Sequence, residues 1–189
     1  MDRSARIEQI KQQQMEAGEI AKAVEWNWRM EQTEDQLLIH YELSHTGRTS
    51  VHVLDKVIVF AAGQGFAEAP QAMIRLAGKE QPHKLVLSRG YVSPPISEVA
   101  YELLPAARLL EPGQTLQGQA RIPLPLTAWH PNEAQLPPLR EVKEWELRIG
   151  LLPLFCQLEE LTLEDGITVQ IPRREELFLF QQWLAQSRS

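Results

Sequence analysis

The residues best suited to chemistry crowd into one stretch: His40, His45 and His52, with Glu42, Ser44 and Asp55 among them. Neutral imidazoles are good zinc ligands, so two on one strand face are the start of a metal site. His40 and His52 share the parity opposite to their apolar neighbours. Both are expected to face outward across a hairpin, with Glu42 as a weak further donor. No third ligand stands at metal-site spacing, so the pair reads as solvated histidines on a wet face. A nucleophilic set of Ser44, His45 and Asp55 is poorer still, because neighbours on a strand point to opposite faces. Cys156 is the only cysteine and lies in the apolar run Leu154-Phe155-Cys156-Gln157-Leu158. A small buried thiol is the usual occupant of such a run. No catalytic residue, metal ligand or cofactor-binding residue is assigned, no cofactor is expected, and the chain is read as not an enzyme. A metal-dependent hydrolase centred on His40 and His52 is the remotest alternative.

Contact is the other chemistry on offer. Of five tryptophans, Trp26, Trp28 and Trp145 share the parity of apolar neighbours and are expected in the core. Trp129 sits in a proline-rich connection and Trp183 near the C-terminus. Either would serve a partner or sugar if exposed; otherwise Trp129 folds down as a plug over a sheet edge. Ala61–Pro70, with Gln64 and Phe66, reads as a flexible loop at the end of a sandwich, where loops carry function. Its Gly63-Gln64-Gly65 lacks the third glycine and Lys-Ser pair of a phosphate cradle. The candidate partner or ligand contacts are therefore Trp129, Gln64, Phe66 and Trp183.

What positions these residues is a two-residue alternation. Val24, Trp26, Trp28 and Met30 alternate with Glu25, Asn27, Arg29 and Glu31, and Trp145, Leu147 and Ile149 with Glu144, Glu146 and Arg148. Each segment is a strand with one dry and one wet face. Leu37–Leu43 and Val51–Phe60 read as a hairpin around His45–Ser50. Asp55 then falls on an inward parity. A buried unpaired carboxylate is costly, so a bulge, an edge position or a hydrogen-bonded partner is expected there. Further extended pieces are read at Met73–Leu76, Lys84–Tyr91, Val99–Leu104, Ala107–Leu110 and Leu116–Leu124. Pro123 and Pro125 place the end of the last at an edge, and Glu141–Leu152 is read as a central strand. Leu158–Leu163 and Ile167–Ile171 flank Glu164-Asp165-Gly166. A three-residue loop there keeps Leu163 with Ile167 and Leu161 with Val169, and puts Gly166 at its left-handed position. Arg173–Gln186 fits a C-terminal helix, preferred from about Phe178, although Leu177–Phe180 equally fits the start of a strand.

About eight to nine short strands without βαβ alternation predict an all-β, mainly antiparallel sandwich. The pattern is similar to immunoglobulin- or fibronectin-like sandwiches in its Tyr41–Val59 hairpin and in Pro112-Gly113-Gln114 opening a strand, but the Cys…Trp…Cys hallmark is absent. Residues 1–22 form an N-terminal helix or flexible arm, with Ile7, Ile10 and Ile20 on a thin apolar face. Residues 23–189 form the sandwich domain. A hydrophobic fraction of 43% supports a core without disulfides. A net charge of −6 does not advertise a nucleic-acid surface. No segment reads as spanning a membrane, and the chain as written is expected in the cytoplasm. The expected function is a non-catalytic interaction module binding a protein partner through an edge strand, a loop or the terminal arms, with a homo-oligomer also compatible. The alternative is a carbohydrate or small-ligand binder using an exposed tryptophan and the Gly63–Pro70 loop.

Overall fold

The computed structural model describes residues 3–61, 65–93, 103–130 and 133–189. These form a mostly β, mainly antiparallel, sandwich-like fold with a short N-terminal helix. Twelve strands are present among the described residues, against the eight to nine expected.

A small sheet holds β1 (Val24–Gln32), β2 (Gln36–His45) and β8 (Thr115–Pro123) in the order β1-β2-β8. The alternation sets its register. Trp26 opposes Leu43, Trp28 opposes Tyr41, and Met30 opposes Ile39; on the other side of β2, Tyr41 opposes Gly118 and Ile39 opposes Ala120. These side chains face inward, so Trp28 is buried and Trp26 half-buried. Gly118 has no side chain for a reason: a Cβ there would lie 2.2 Å from the Tyr41 ring.

The large sheet is built around β3 (Val51–Ala61) and β9 (Glu144–Pro153), in the order β10-β11-β7-β3-β9-β6-β5. Its other members are β4 (Gly65–Ala69), β5 (Met73–Leu76), β6 (Lys84–Arg89), β7 (Leu103–Leu110), β10 (Leu158–Thr162), β11 (Thr168–Pro172) and β12 (Gln182–Arg188). β6 and β9 run parallel, and Lys84 Nζ reaches Glu144 and Glu146 of β9 at 2.8 Å each. The inner faces of the two sheets enclose the main core, with Leu37, Ile39, Leu43, Leu85, Leu147 and Ile149 fully buried. The outer face of the large sheet is also covered. There α1 (Arg3–Ile20) and α2 (Arg174–Phe180) close a second cluster containing Ala17, Leu54, Leu152, Cys156, Leu177 and Phe180. Ala17 is the buried residue of α1, while Ile7 and Met15 are exposed. No helix among the described residues is long and apolar enough to cross a membrane.

Three expectations change. The run Tyr41–Val59 is not a hairpin, because β2 and β3 belong to different sheets. His45 makes the corner: its Nδ1 accepts from Gly47 N and its Nε2 lies on Thr49 O, both at 2.8 Å. That ring holds the turn in a shape that carries the chain between layers. The loop expected at Ala61–Pro70 is in part strand β4. β3 outruns β9, and β4 supplies its missing neighbour, with Phe60 and Phe66 packed at 5.1 Å. Finally, the C-terminal helix ends at Phe180, and Gln182–Arg188 is strand β12 along β9. A central strand with one side unpaired is a stronger demand than local helical spacing.

Candidate functional site

Asp55 stands where the large sheet forks. β3 pairs with β9 as far as Leu54 and with β4 from Val57. On its other side the ladder to β7 slips between Val53 and Lys56, a bulge that re-aims side chains. Asp55 is 1% exposed. Arg108 grips both carboxylate oxygens, Nε on Oδ1 at 2.9 Å and Nη2 on Oδ2. Tyr41 crosses from the small sheet and donates its hydroxyl to Oδ2 at 3.0 Å. Arg89, 2% exposed, donates Nε to the Asp55 carbonyl at 2.6 Å. Its Nη1 reaches the carbonyls of Ala69 and Gln71 at 3.2 and 2.9 Å. The guanidinium thus serves carbonyls around a fork that cannot all find ladder partners. Burial first, and then the Asp55 charge, raise the Tyr41 pKa well above its ordinary 10.0, so the phenol stays protonated and donates. Both carboxylate oxygens are engaged, so this cluster is an internal tie between sheets.

The other reactive residues are dispersed. Ser44 Oγ lies 3.1 Å from Thr115 Oγ1, and the His45 ring is occupied by its corner. His40 and His52 lie in different sheets. His52 is not solvated as expected but 8% exposed. Its parity is outward, yet that face of the large sheet is the one covered by helices, and burial lowers its pKa below the ordinary 6.5. Among the described residues no three His, Cys, Asp or Glu side chains gather as a metal site. Cys156 is buried, and burial, then the nearby Glu176 charge, push its thiol pKa far upward, which makes it a poor nucleophile.

The candidate contact residues take separate places. Gln64 lies outside the described residues. Phe66 is half-buried against Phe60. Trp183 is half-buried on β12, its ring so close to Gly90 that a Cβ there would come within 3.0 Å. Trp129 donates its backbone N–H to Ile74 O of β5 at 3.1 Å, and it is one of the residues around a cavity of about 330 Å³ at that margin of the sandwich.

A larger cleft, about 710 Å³, opens beside α1. Glu16, Glu19 and Ile20, with Ala23 just beyond the helix, form one wall; Arg48–Val51 and Pro153–Phe155 form the rest. The lining is mainly apolar, and Leu154 and Phe155 remain 47% and 38% exposed. Sequence reasoning grouped these two with the run around Cys156. The signal that separates them is Pro153, which closes a strand and leaves two large apolar residues in a turn. Comparison with known proteins adds no relative: no known family, curated protein or solved structure matches the chain.

Proposed function

We propose that the protein is a non-catalytic interaction module whose cleft beside α1 takes an apolar segment of another protein. The observation that carries this reading is the exposure of Leu154 and Phe155 at the mouth of an apolar cleft. Large apolar side chains grouped on a surface cost solubility and mark contact sites. Charge supports a partner of defined kind. Glu16 stands on the helical wall beside Glu19, whose carboxylate is already paired with Lys22 at 2.8 Å, and the chain carries a net charge of −6. A segment with two or three apolar side chains and a basic one beside them complements that wall and is steered toward it. Arg48 on the facing wall fits an acidic group or a terminal carboxylate at the other end of the segment.

The test is selection of displayed peptides on the full chain. Enriched sequences should share closely spaced apolar residues next to Lys or Arg. Leu154→Asp should weaken binding more than ten-fold while leaving the fold intact, since about half of that side chain is exposed; Phe155 also packs edge-on against the buried Phe180 at 5.2 Å, so Phe155→Leu, which keeps an apolar contact there, is the second variant and should weaken binding less. Glu16→Lys should turn the basic preference round. Peptides that bind these variants as well as the parent, or no enrichment, would remove the reading. Mass that rises with concentration in light scattering, and is abolished by Leu154→Asp, would assign the cleft to a second copy instead. Deleting residues 1–22 is a weaker test, because it also strips Ala17 from the outer cluster.

A further inference from the structure

The corner between β2 and β3 supplies one wall of the cleft beside α1, through Arg48, Thr49, Ser50 and Val51. A single side chain fastens it. The His45 ring is 3% exposed; Gly47 donates its N–H to Nδ1, and Nε2 lies on Thr49 O, both at 2.8 Å. A backbone N–H only donates, so Nδ1 is the bare nitrogen and Nε2 carries its proton toward Thr49. Among the described residues no other hydrogen bond reaches Gly47, Arg48 or Thr49. The histidine itself is fixed from its far side: its N–H donates to Gln114 O at 3.0 Å, and its carbonyl accepts from Gly113 N at 2.9 Å. Gly47 is pressed against the ring, since a Cβ there would lie 2.7 Å from His45 Cε1 and 2.6 Å from Ala23 Cβ. The charged groups on the surrounding elements are Lys22 and Glu25 about the start of β1, Glu42 on β2, Glu111 in the turn before β8 and Arg48 in the corner, all exposed. Among the described residues, His40 is the one histidine within ion-pair distance of a carboxylate. His45 shares the inward parity of Tyr41 and Leu43, whereas His52 lies on the outer face of the large sheet.

We propose that His45 is a proton-operated latch on the cleft: the neutral ring fastens the corner, and a proton on Nδ1 releases Gly47 and re-aims the Arg48–Val51 wall. A proton there sets one N–H against another across 2.8 Å, so that bond is lost while Nε2 keeps its hold on Thr49. Arg48 lies between the freed residue and the held one. Imidazole is the side chain that takes up a proton between about pH 8 and 5, so acidification opens the latch. A change in the grip on a partner rests on the reading of the cleft as a docking site; the latch does not.

The test therefore uses no partner, and its failure is separate from failure of the docking reading. The isotope-labelled full chain is followed by NMR from about pH 7.5 to about 5. At the upper end a coupling across the N–H···N bond should link the Gly47 amide to His45 Nδ1. It should vanish as the His45 ring titrates, and the amide signals of residues 47–51 should shift with the same midpoint. His45→Asn is the decisive variant, because an Asn Oδ1 accepts from the N–H two residues on, as in an Asx-turn, and does not titrate. It should keep the corner signals and remove their pH response. His52→Leu should leave that response in place. A coupling that survives at the lower pH, corner signals that do not follow the ring, the parent's response in His45→Asn, or its loss in His52→Leu would each overturn the inference.

Discussion

The fork at Asp55 and the cavity at Trp129 are two answers to one problem, a polar group inside a sandwich. At Asp55 both carboxylate oxygens meet donors supplied by strands of the two sheets. At Trp129 one donor is enclosed and meets nothing. The saturated region ties the layers together and offers no vacancy to a guest. The unsaturated one contributes no indole hydrogen bond to the fold.

Substitutions can break that contrast. The largest effect should come from Asp55→Ala, which leaves the Arg108 guanidinium without its counter-charge. A loss of about 3–5 kcal/mol in denaturant unfolding is expected, and a loss below about 1 kcal/mol would mean that the tie is not structural. Arg89→Met should follow at about 3 kcal/mol, because carbonyls of Asp55, Ala69 and Gln71 lose a buried donor together. The most pointed comparison is Tyr41→Phe against Trp129→Phe. Tyr41→Phe removes a bond to a buried carboxylate and should cost about 1–3 kcal/mol. Trp129→Phe removes no bond and should cost about 1 kcal/mol or less, as a modest loss of packing. Equal costs would erase the distinction between the two regions.

The smallest effect concerns pH. The covered outer face keeps His52 neutral, with its pKa below the ordinary 6.5. Between those two values the unfolded chain binds a proton that the folded chain does not. Stability therefore declines as pH falls below about 6.5 and levels off under the folded value. His52→Leu should flatten that slope in unfolding midpoints measured from pH 7.5 to 5.

Much of the architecture was legible because alternation is a local signal. The inner row Trp26, Trp28 and Met30 is read straight from parity. So is the final hairpin, where Leu163 N meets Ile167 O at 2.8 Å, Leu161 opposes Val169, and Gly166 has φ +81°. The inward Asp55 was also legible as a problem with few solutions, and bulge and partner are both present. What escaped was non-local. Parity places His52 outward but does not say that helices from both ends of the chain cover that face. The spacing of Leu177, Phe180 and Leu184 suits a helix, but it carries no information that β9 has an open side. The cleft was illegible for the same reason, since its walls come from α1, the β2–β3 corner and the turn after β9. The lining of the Trp129 cavity likewise comes from β3, β5 and the proline-rich connection.

The placement of β9 also sets an order of events during synthesis. Val51 opposes Pro153, Lys84 runs beside Glu144, and Trp145 opposes Arg188. Until residues 144–188 have emerged from the ribosome, β3 and β6 each have a side that no later strand has yet covered. While everything between β6 and β9 is being made, the nascent chain carries those open edges, and the sheet closes only when β9 emerges and pairs with both strands along one of its sides.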